Sequence, residues 1–333
     1  MRARVVSACF VMSMAIGASV CVTACTSGPA HRETSPVVSS TDPSSHPTRA
    51  PLVIAHRGGT GDAPENTLAA IRLALAHHAD AIWLTVQLSR DGVPVLYRPA
   101  DLAALTDARG PVAAKTAAEL ARVNAGWRFQ SADANGNAND PWRRTPAPIP
   151  TLAAALAAIP PNVPVILDMK ALPAAPQARA VAQVLDAANA WPRVLLYSTE
   201  ADYQRAFAAW PQARVFEARD ATRTRLVTLA LARRCEAPPP AGAWTAFEWR
   251  RELDVAEHYT LGEAHSKVPD AQLWSARAVQ CFRTRPDVHI VAIGVNDEAD
   301  YRAAACAGVD AVLADSPRRM TRARDTFRED SCR

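Results

Sequence analysis

No stretch of this sequence gathers lysine and arginine into a run, and no aromatic residues interleave with its basic ones. The formal charge is +4, two units of it from Arg2 and Arg4, so the electrostatic footprint of a nucleic-acid binder is missing and no nucleic acid is expected as a partner. No apolar run reaches the roughly 20 residues that a membrane-spanning helix requires. Among Cys235, Cys281, Cys306 and Cys332 no two lie close in sequence and no histidine accompanies them at zinc-finger spacing, which argues against a structural zinc site. No Gly-x-Gly-x-x-Gly follows the first predicted strand, because "HRGGTG" has its glycines at the wrong spacing, and that speaks against a dinucleotide fold. What the 333 residues do contain is 49% apolar side chains, enough for a substantial core in one large domain or two ordinary ones.

The first 25 residues combine a short basic start, an apolar stretch from Val5 to Val22 and a small-residue close at Thr23 and Ala24, which is the pattern of an export signal. The ending "VTAC" resembles the lipobox of bacterial lipoproteins, implying removal of residues 1–24 and acylation of Cys25. Thr26, where an aspartate is absent, fits the outer membrane of a double-membraned bacterium, so the expected location is exported and lipid-anchored. An ordinary signal peptide that happens to contain cysteines is the alternative. Residues 25–50, rich in Ser, Thr and Pro without apolar period, cannot offset their ordering entropy by burial and read as a flexible tether. The folded domain is expected over 51–333. It contains Cys235, Cys281, Cys306 and Cys332, for which three disulfide pairings, or burial as free thiols, are open.

After Pro51, short apolar runs alternate with alanine-rich helical stretches. "LVIAHRG", "AIWLTVQL", "VPVILDMK", "RVLLYST", "ARVFEARD", "AWTAFEWR", "HIVAIGVN" and "AVLADSP" give eight runs, and "VPVLYRP" should fold back on the second across Asp91-Gly92 as a local hairpin. Strands separated by helices pair in parallel, so the expected fold is α/β, a closed eight-stranded parallel barrel, with an open doubly wound sheet as alternative. "SADANGNANDPWRRTPAP" lacks any period and reads as an excursion loop.

Chemistry on such a barrel sits at the carboxyl ends of its strands. The residues closing the runs are His56 and Arg57, Thr85 and Gln87, Arg98, Asp168 and Lys170, Glu217, Glu248, Asn296 and Asp315. Polar groups clustered where apolar ones are normal point to a site. The second run poses a puzzle: Ile82, Leu84, Val86 and Leu88 share one face and are core, while Trp83, Thr85 and Gln87 share the other.

The pieces His56-Arg57-Gly58, Pro64-Glu65-Asn66-Thr67, Ala79-Asp80, Asp91-Gly92, "IPTL", "ILDMK", "VND" and "GVDAVLADSP" occur in an order that resembles the glycerophosphodiester phosphodiesterase family over nearly all of Leu52 to Pro317. The resemblance implies an eight-stranded barrel that hydrolyses glycerol-bearing phosphodiesters with a divalent cation, calcium or magnesium. It implies a Glu-x-Asp pair of metal ligands on the second strand, a glutamate in a Glu-x-Lys motif, and two histidines as general acid and base. This sequence has Trp83 and Thr85 at the first two metal positions, Asp168 at the third, and Arg98 in place of the second histidine.

Two functions follow as expectations. In the first, a lipid-anchored phosphodiesterase retains His56 as proton-transfer group and holds phosphate with Arg57, Arg98 and Lys170, with Glu65 and Asp168 the remaining candidates for a weakened or rearranged metal site. In the second, the barrel has lost catalysis and binds a phosphorylated, glycerol-like ligand through the same cations. Glu65 has a structural alternative, as an anchor for Arg57 or an acid favouring the following helix start. Trp83 is expected to fill the vacated metal cavity, since cavities are costly, with a stacking surface for a ligand as the alternative.

Overall fold

The computed structural model describes residues 49–132 and 138–332. The expected export leader, Cys25, nearly all of the expected tether and the centre of the expected excursion loop lie outside the described residues. Among the described residues twelve strands follow in chain order: β1 (Leu52–His56), β2 (Ala81–Leu88), β3 (Pro94–Leu96), β4 (Ser131–Ala132), β5 (Ala138–Asn139), β6 (Val165–Met169), β7 (Val194–Tyr197), β8 (Trp244–Glu248), β9 (Arg251–Tyr259), β10 (Gly262–Ala271), β11 (His289–Ile293) and β12 (Ala311–Ala314).

The main sheet runs β7-β6-β2-β1-β12-β11-β8. Every neighbouring pair on that path is parallel, and β3 adds antiparallel to β2 across the Asp91-Gly92 turn. Helices connect the parallel strands, and the local sequence starts them: Thr67, Thr151, Ser275, Asp297 and Ser316 each accept a hydrogen bond from a backbone N–H of the first turn they cap.

The closed eight-stranded barrel expected from the sequence is corrected on one point, since the sheet is open between β7 and β8. In "ARVFEARD" only Val215 and Phe216 supply an adjacent apolar pair, and the segment forms one parallel bridge, Leu196 to Val215. Its backbone nevertheless reaches both sides. Phe216 N–H donates to Leu196 O (2.8 Å) and Glu217 N–H to Trp244 O (2.8 Å). The segment spans the gap but is too short to build a ladder.

The period-two alternation sorts the strands into two packed faces. Ile54, Trp83, Ile166, Leu195, Tyr197, Phe216, Ala246, Val291 and Leu313 form one buried cluster inside the curved sheet. Ile82, Leu84, Val86, Val165 and Leu167 face outward, packed with Leu152, Leu156, Val181 and Leu185 of the surrounding helices. Burial on both faces explains why the strands read as near-continuous apolar runs.

An antiparallel hairpin, β9–β10, absent from the sequence expectation, follows β8 after Trp249 and Arg250. Both of its strands are largely exposed, and Leu261 at its tip is fully so. Leu253, Val255 and Tyr259 alternate as a strand should, but Glu257 interrupts the apolar face and Pro269 demotes the second strand, which hides the hairpin from pattern reading.

Of the three open cysteine pairings, the structure forms Cys235–Cys281 and Cys306–Cys332, with sequence separations of 46 and 26. By the chain-entropy relation, loops of that size each contribute about 3–4 kcal/mol. Reduction is therefore expected to lower the denaturant midpoint well beyond experimental scatter; an unchanged midpoint would show that the bridges do not form in solution.

Candidate functional site

The first strand ends in a forced turn. Arg57 and Gly58 both take positive φ (51° and 81°), and Gly58 N–H reaches the carbonyls of Ala55 (3.2 Å) and Trp83 (3.1 Å). A Cβ on Gly58 would sit 3.2 Å from the Ala70 side chain, so the His-Arg-Gly order follows from geometry: the side chains at 56 and 57 are presented and the next position must be bare.

His56 turns toward the last strand of the sheet, with Nδ1 2.6 Å from Asp315 Oδ1. Asn296 grips the same aspartate twice, donating from Nδ2 to Oδ2 (2.9 Å) and accepting from the Asp315 backbone N–H (2.8 Å). The hydrogen bond from His56 holds the Asp315 carboxyl below the usual carboxylate range, helped by Asn296 and the charge of Arg57, against the opposing effect of burial. A carboxyl depressed in the folded state stabilises the fold above its unfolded pKa, and that contribution disappears as pH falls through the lowered value. Hence the stability difference between the protein and Asp315→Asn, followed by chemical denaturation, is expected to shrink as pH drops below the ordinary 3.8. A difference that grows in acid would reverse the assignment.

Arg57 is ion-paired through Nη1 to Glu65, whose Oε2 also accepts from Thr60 Oγ1 (3.2 Å). The neighbouring Asn66, at φ 59°, accepts from the Thr85 backbone N–H (2.8 Å). The "PENT" stretch thus anchors the arginine, ties down β2 and caps the next helix through Thr67.

Asp168 lies in register with Thr85 on the inward face of the neighbouring strand and is 7% exposed. Burial pushes its carboxyl up, and the charges of Lys170, His56 and Arg57 act against that. Lys170 Nζ sits 3.0 Å from Asp168 Oδ1 outside hydrogen-bonding geometry, and it donates to Thr199 Oγ1 (3.3 Å). The Thr85 hydroxyl is buried without a hydrogen-bond partner among the described residues. Trp83 stacks into the interior, its ring 4.8 Å from Tyr197 and 6.1 Å from Phe216.

The third member of the puzzling face is structural. Gln87 Nε2 donates to the carbonyls of Tyr97 (3.1 Å), Arg98 (3.1 Å) and Pro99 (2.6 Å), fixing the segment after β3. The Arg98 side chain itself is exposed and has no hydrogen bond or ion pair among the described residues. Glu217 and Glu248 are committed to arginines: the first binds Arg225 and accepts from Thr222, the second binds Arg219 and Arg251. Neither is free to ligate. The structure therefore brings His56, Arg57, Glu65, Asp168 and Lys170 to one mouth and leaves Arg98 outside their contacts. Asp315 and Asn296 are strand-closing residues in the sequence, but the contact of Asp315 with His56 joins positions 259 residues apart, beyond any local signal.

A hard divalent cation takes about six to eight oxygen ligands, carboxylates prominent among them. Trp83 offers no oxygen and Thr85 one neutral hydroxyl, while Glu65 is bound by Arg57 and Asp168 lies against Lys170. Among the described residues no group of three or more His, Cys, Asp or Glu is placed to hold a metal ion. These residues do not fit a divalent cation.

Comparison with known proteins adds four findings. The model of the glycerophosphoryl diester phosphodiesterase family matches residues 56–319. The Mycobacterium tuberculosis protein Rv2277c is 46% identical over 267 residues, 80% of this chain and 87% of its own. The crystal structure of that protein's glycerophosphoryl diester phosphodiesterase domain is similar at a TM-score of 0.76 and 44% identity, covering 83% of this chain and 98% of that one. An Oleispira antarctica phosphodiesterase, solved with its product sn-glycerol-3-phosphate, shares the fold at a TM-score of 0.59 and 24% identity, covering 83% and 98% of the two chains.

Proposed function

Since the chain belongs to the glycerophosphoryl diester phosphodiesterase family, we propose that it binds and hydrolyses phosphodiesters bearing a glycerol at the mouth shared by His56, Arg57, Asp168 and Lys170. The family is generally metal-dependent. This site departs from that rule by supplying its positive charge from side chains. The observation that carries the reading is the seating of Lys170 against the buried Asp168, where the sequence resemblance places a cation ligand.

In this reading Arg57 keeps Nε and Nη2 for phosphoryl oxygens while Nη1 holds Glu65, and the Lys170 ammonium adds a second charge. His56 takes a proton from the attacking water as its oxygen bonds to phosphorus. The phosphorus–oxygen bond to the alcohol breaks, and the departing alkoxide is protonated from solvent. Arg98 does not serve as the acid, because a guanidinium is a fixed-charge donor and not a proton shuttle.

The test is hydrolysis of glycerophosphodiesters by the chain from Thr26, with calcium or magnesium and with chelator. Turnover that persists in chelator is expected. Turnover abolished by chelator would reject the fixed-charge site. Binding of a phosphorylated glycerol without turnover would select the second reading, a barrel that only binds, which Arg98 at the position of the second histidine favours. Restored, metal-dependent hydrolysis by Trp83→Glu, Thr85→Asp and Arg98→His together would strengthen that choice.

We also propose that the protein is exported and held at the bacterial membrane by acylated Cys25. The leader, the "VTAC" ending and two disulfides of the kind that persist in oxidising compartments support this. Each buried methylene of the acyl chains contributes about 0.8 kcal/mol. Cys25→Ser is expected to move the protein from the membrane fraction to the soluble fraction and to abolish labelling by radioactive palmitate; retention of both would overturn the anchor.

A further inference from the structure

We infer that Asp315, gripped from two sides by Asn296, is a positioning residue that holds His56 in the tautomer whose Nε2 carries the lone pair. The inference deepens the proposed function, and rests on it for the claim that the lone pair is used in hydrolysis. Its geometry stands independently.

An ionised carboxylate can only accept hydrogen bonds. With Asp315 Oδ1 2.6 Å from His56 Nδ1, the proton of the neutral imidazole must lie on Nδ1, which leaves Nε2 unprotonated. Nothing else in the described residues bonds His56 through its ring, so Nε2 is directed by this one contact. The assignment resolves which half of acid–base chemistry the histidine begins with. It enters the cycle as the base, accepting a proton at Nε2, and Asp315 then faces an imidazolium whose charge it stabilises.

Asn296 makes the arrangement directional. Its Nδ2 donates to Asp315 Oδ2, and its Oδ1 receives the Asp315 backbone N–H, so carboxylate and backbone are located together. The Asp315 carbonyl in turn accepts from Gly61 N–H (2.7 Å), which ties the end of the last strand to the loop that follows His56. A Cβ on Gly61 would lie 3.1 Å from that carbonyl oxygen, so the loop approaches as closely as a bare residue permits. Three strand ends, those of β1, β11 and β12, are thereby fixed around one imidazole.

Asp315→Asn gives a sharp test because Asn296 dictates how the new amide must sit. Its oxygen has to stay opposite Asn296 Nδ2, which turns its NH2 toward His56 Nδ1. That nitrogen must then accept, and the imidazole proton moves to Nε2. The experiment is nitrogen-15 NMR of histidine-labelled protein from Thr26, with His56→Gln used to assign the resonance. Wild type is expected to show the Nδ1-protonated tautomer and Asp315→Asn the Nε2-protonated one. In parallel, kcat for Asp315→Asn is expected to fall by about 10²–10⁴-fold with KM within about twofold, and Asn296→Ala to lower kcat in the same sense by less. An Nε2-protonated His56 in wild type, or one tautomer common to both proteins, overturns the inference whether or not the protein turns over. The expected pair of tautomers without any turnover supports the positioning and counts against hydrolysis alone.

Discussion

Replacing His56 with alanine is expected to reduce phosphodiester hydrolysis by about 10²–10⁴-fold, the range of a lost general base. The side chain is partly exposed and its ring makes one hydrogen bond, so the fold should survive and the loss should appear in kcat. Arg57→Ala provides the contrast. It removes a charge proposed to face phosphate and also strands Glu65, which has no other ion-pair partner among the described residues, so both KM and stability should suffer. If His56→Ala retained full activity in the chain from Thr26, with both disulfides formed, the mouth described above would not be the place of chemistry.

The second large effect concerns Trp83. Its indole is 2% exposed and packs with Tyr197 and Phe216, which in turn touches Trp244 (ring centroids 5.7 Å apart). Trp83→Ala would leave a void at the centre of the sheet's concave face and is expected to cost about 3–5 kcal/mol, read from denaturant unfolding. That magnitude separates two views of the residue. A stacking platform for ligands at the rim would lose binding with little loss of stability. A side chain filling the room of absent ligands would lose stability first, and its burial in the interior cluster favours that outcome.

Much of the fold was legible because its signals are local. Alternation in "AIWLTVQL" and the Asp91-Gly92 reversal each act within a few residues, and each appears in the structure. The incomplete closure was not legible, because whether Val215 and Phe216 form a ladder depends on how Leu196 and Trp244 stand to either side. Among the site residues, Arg57 with Glu65 shows a pairing that eight positions of sequence can suggest. Gln87 does not, since an amide on a strand gives no hint that it will hold three successive carbonyls. The pairing of His56 with Asp315 needs the whole sheet to curl before the two meet.

The hairpin of β9 and β10 changes how this protein can vary. It leaves the sheet at the same rim as His56 and Arg57, is secured at its base by Arg251 against Glu248, and exposes both faces beyond that point. Residues there carry little of the interior packing on which the barrel depends. Selection can therefore rewrite the hairpin, lengthen it or trade it for another loop at small cost to folding, and a lineage could retune what approaches the entrance while the architecture beneath stays the same.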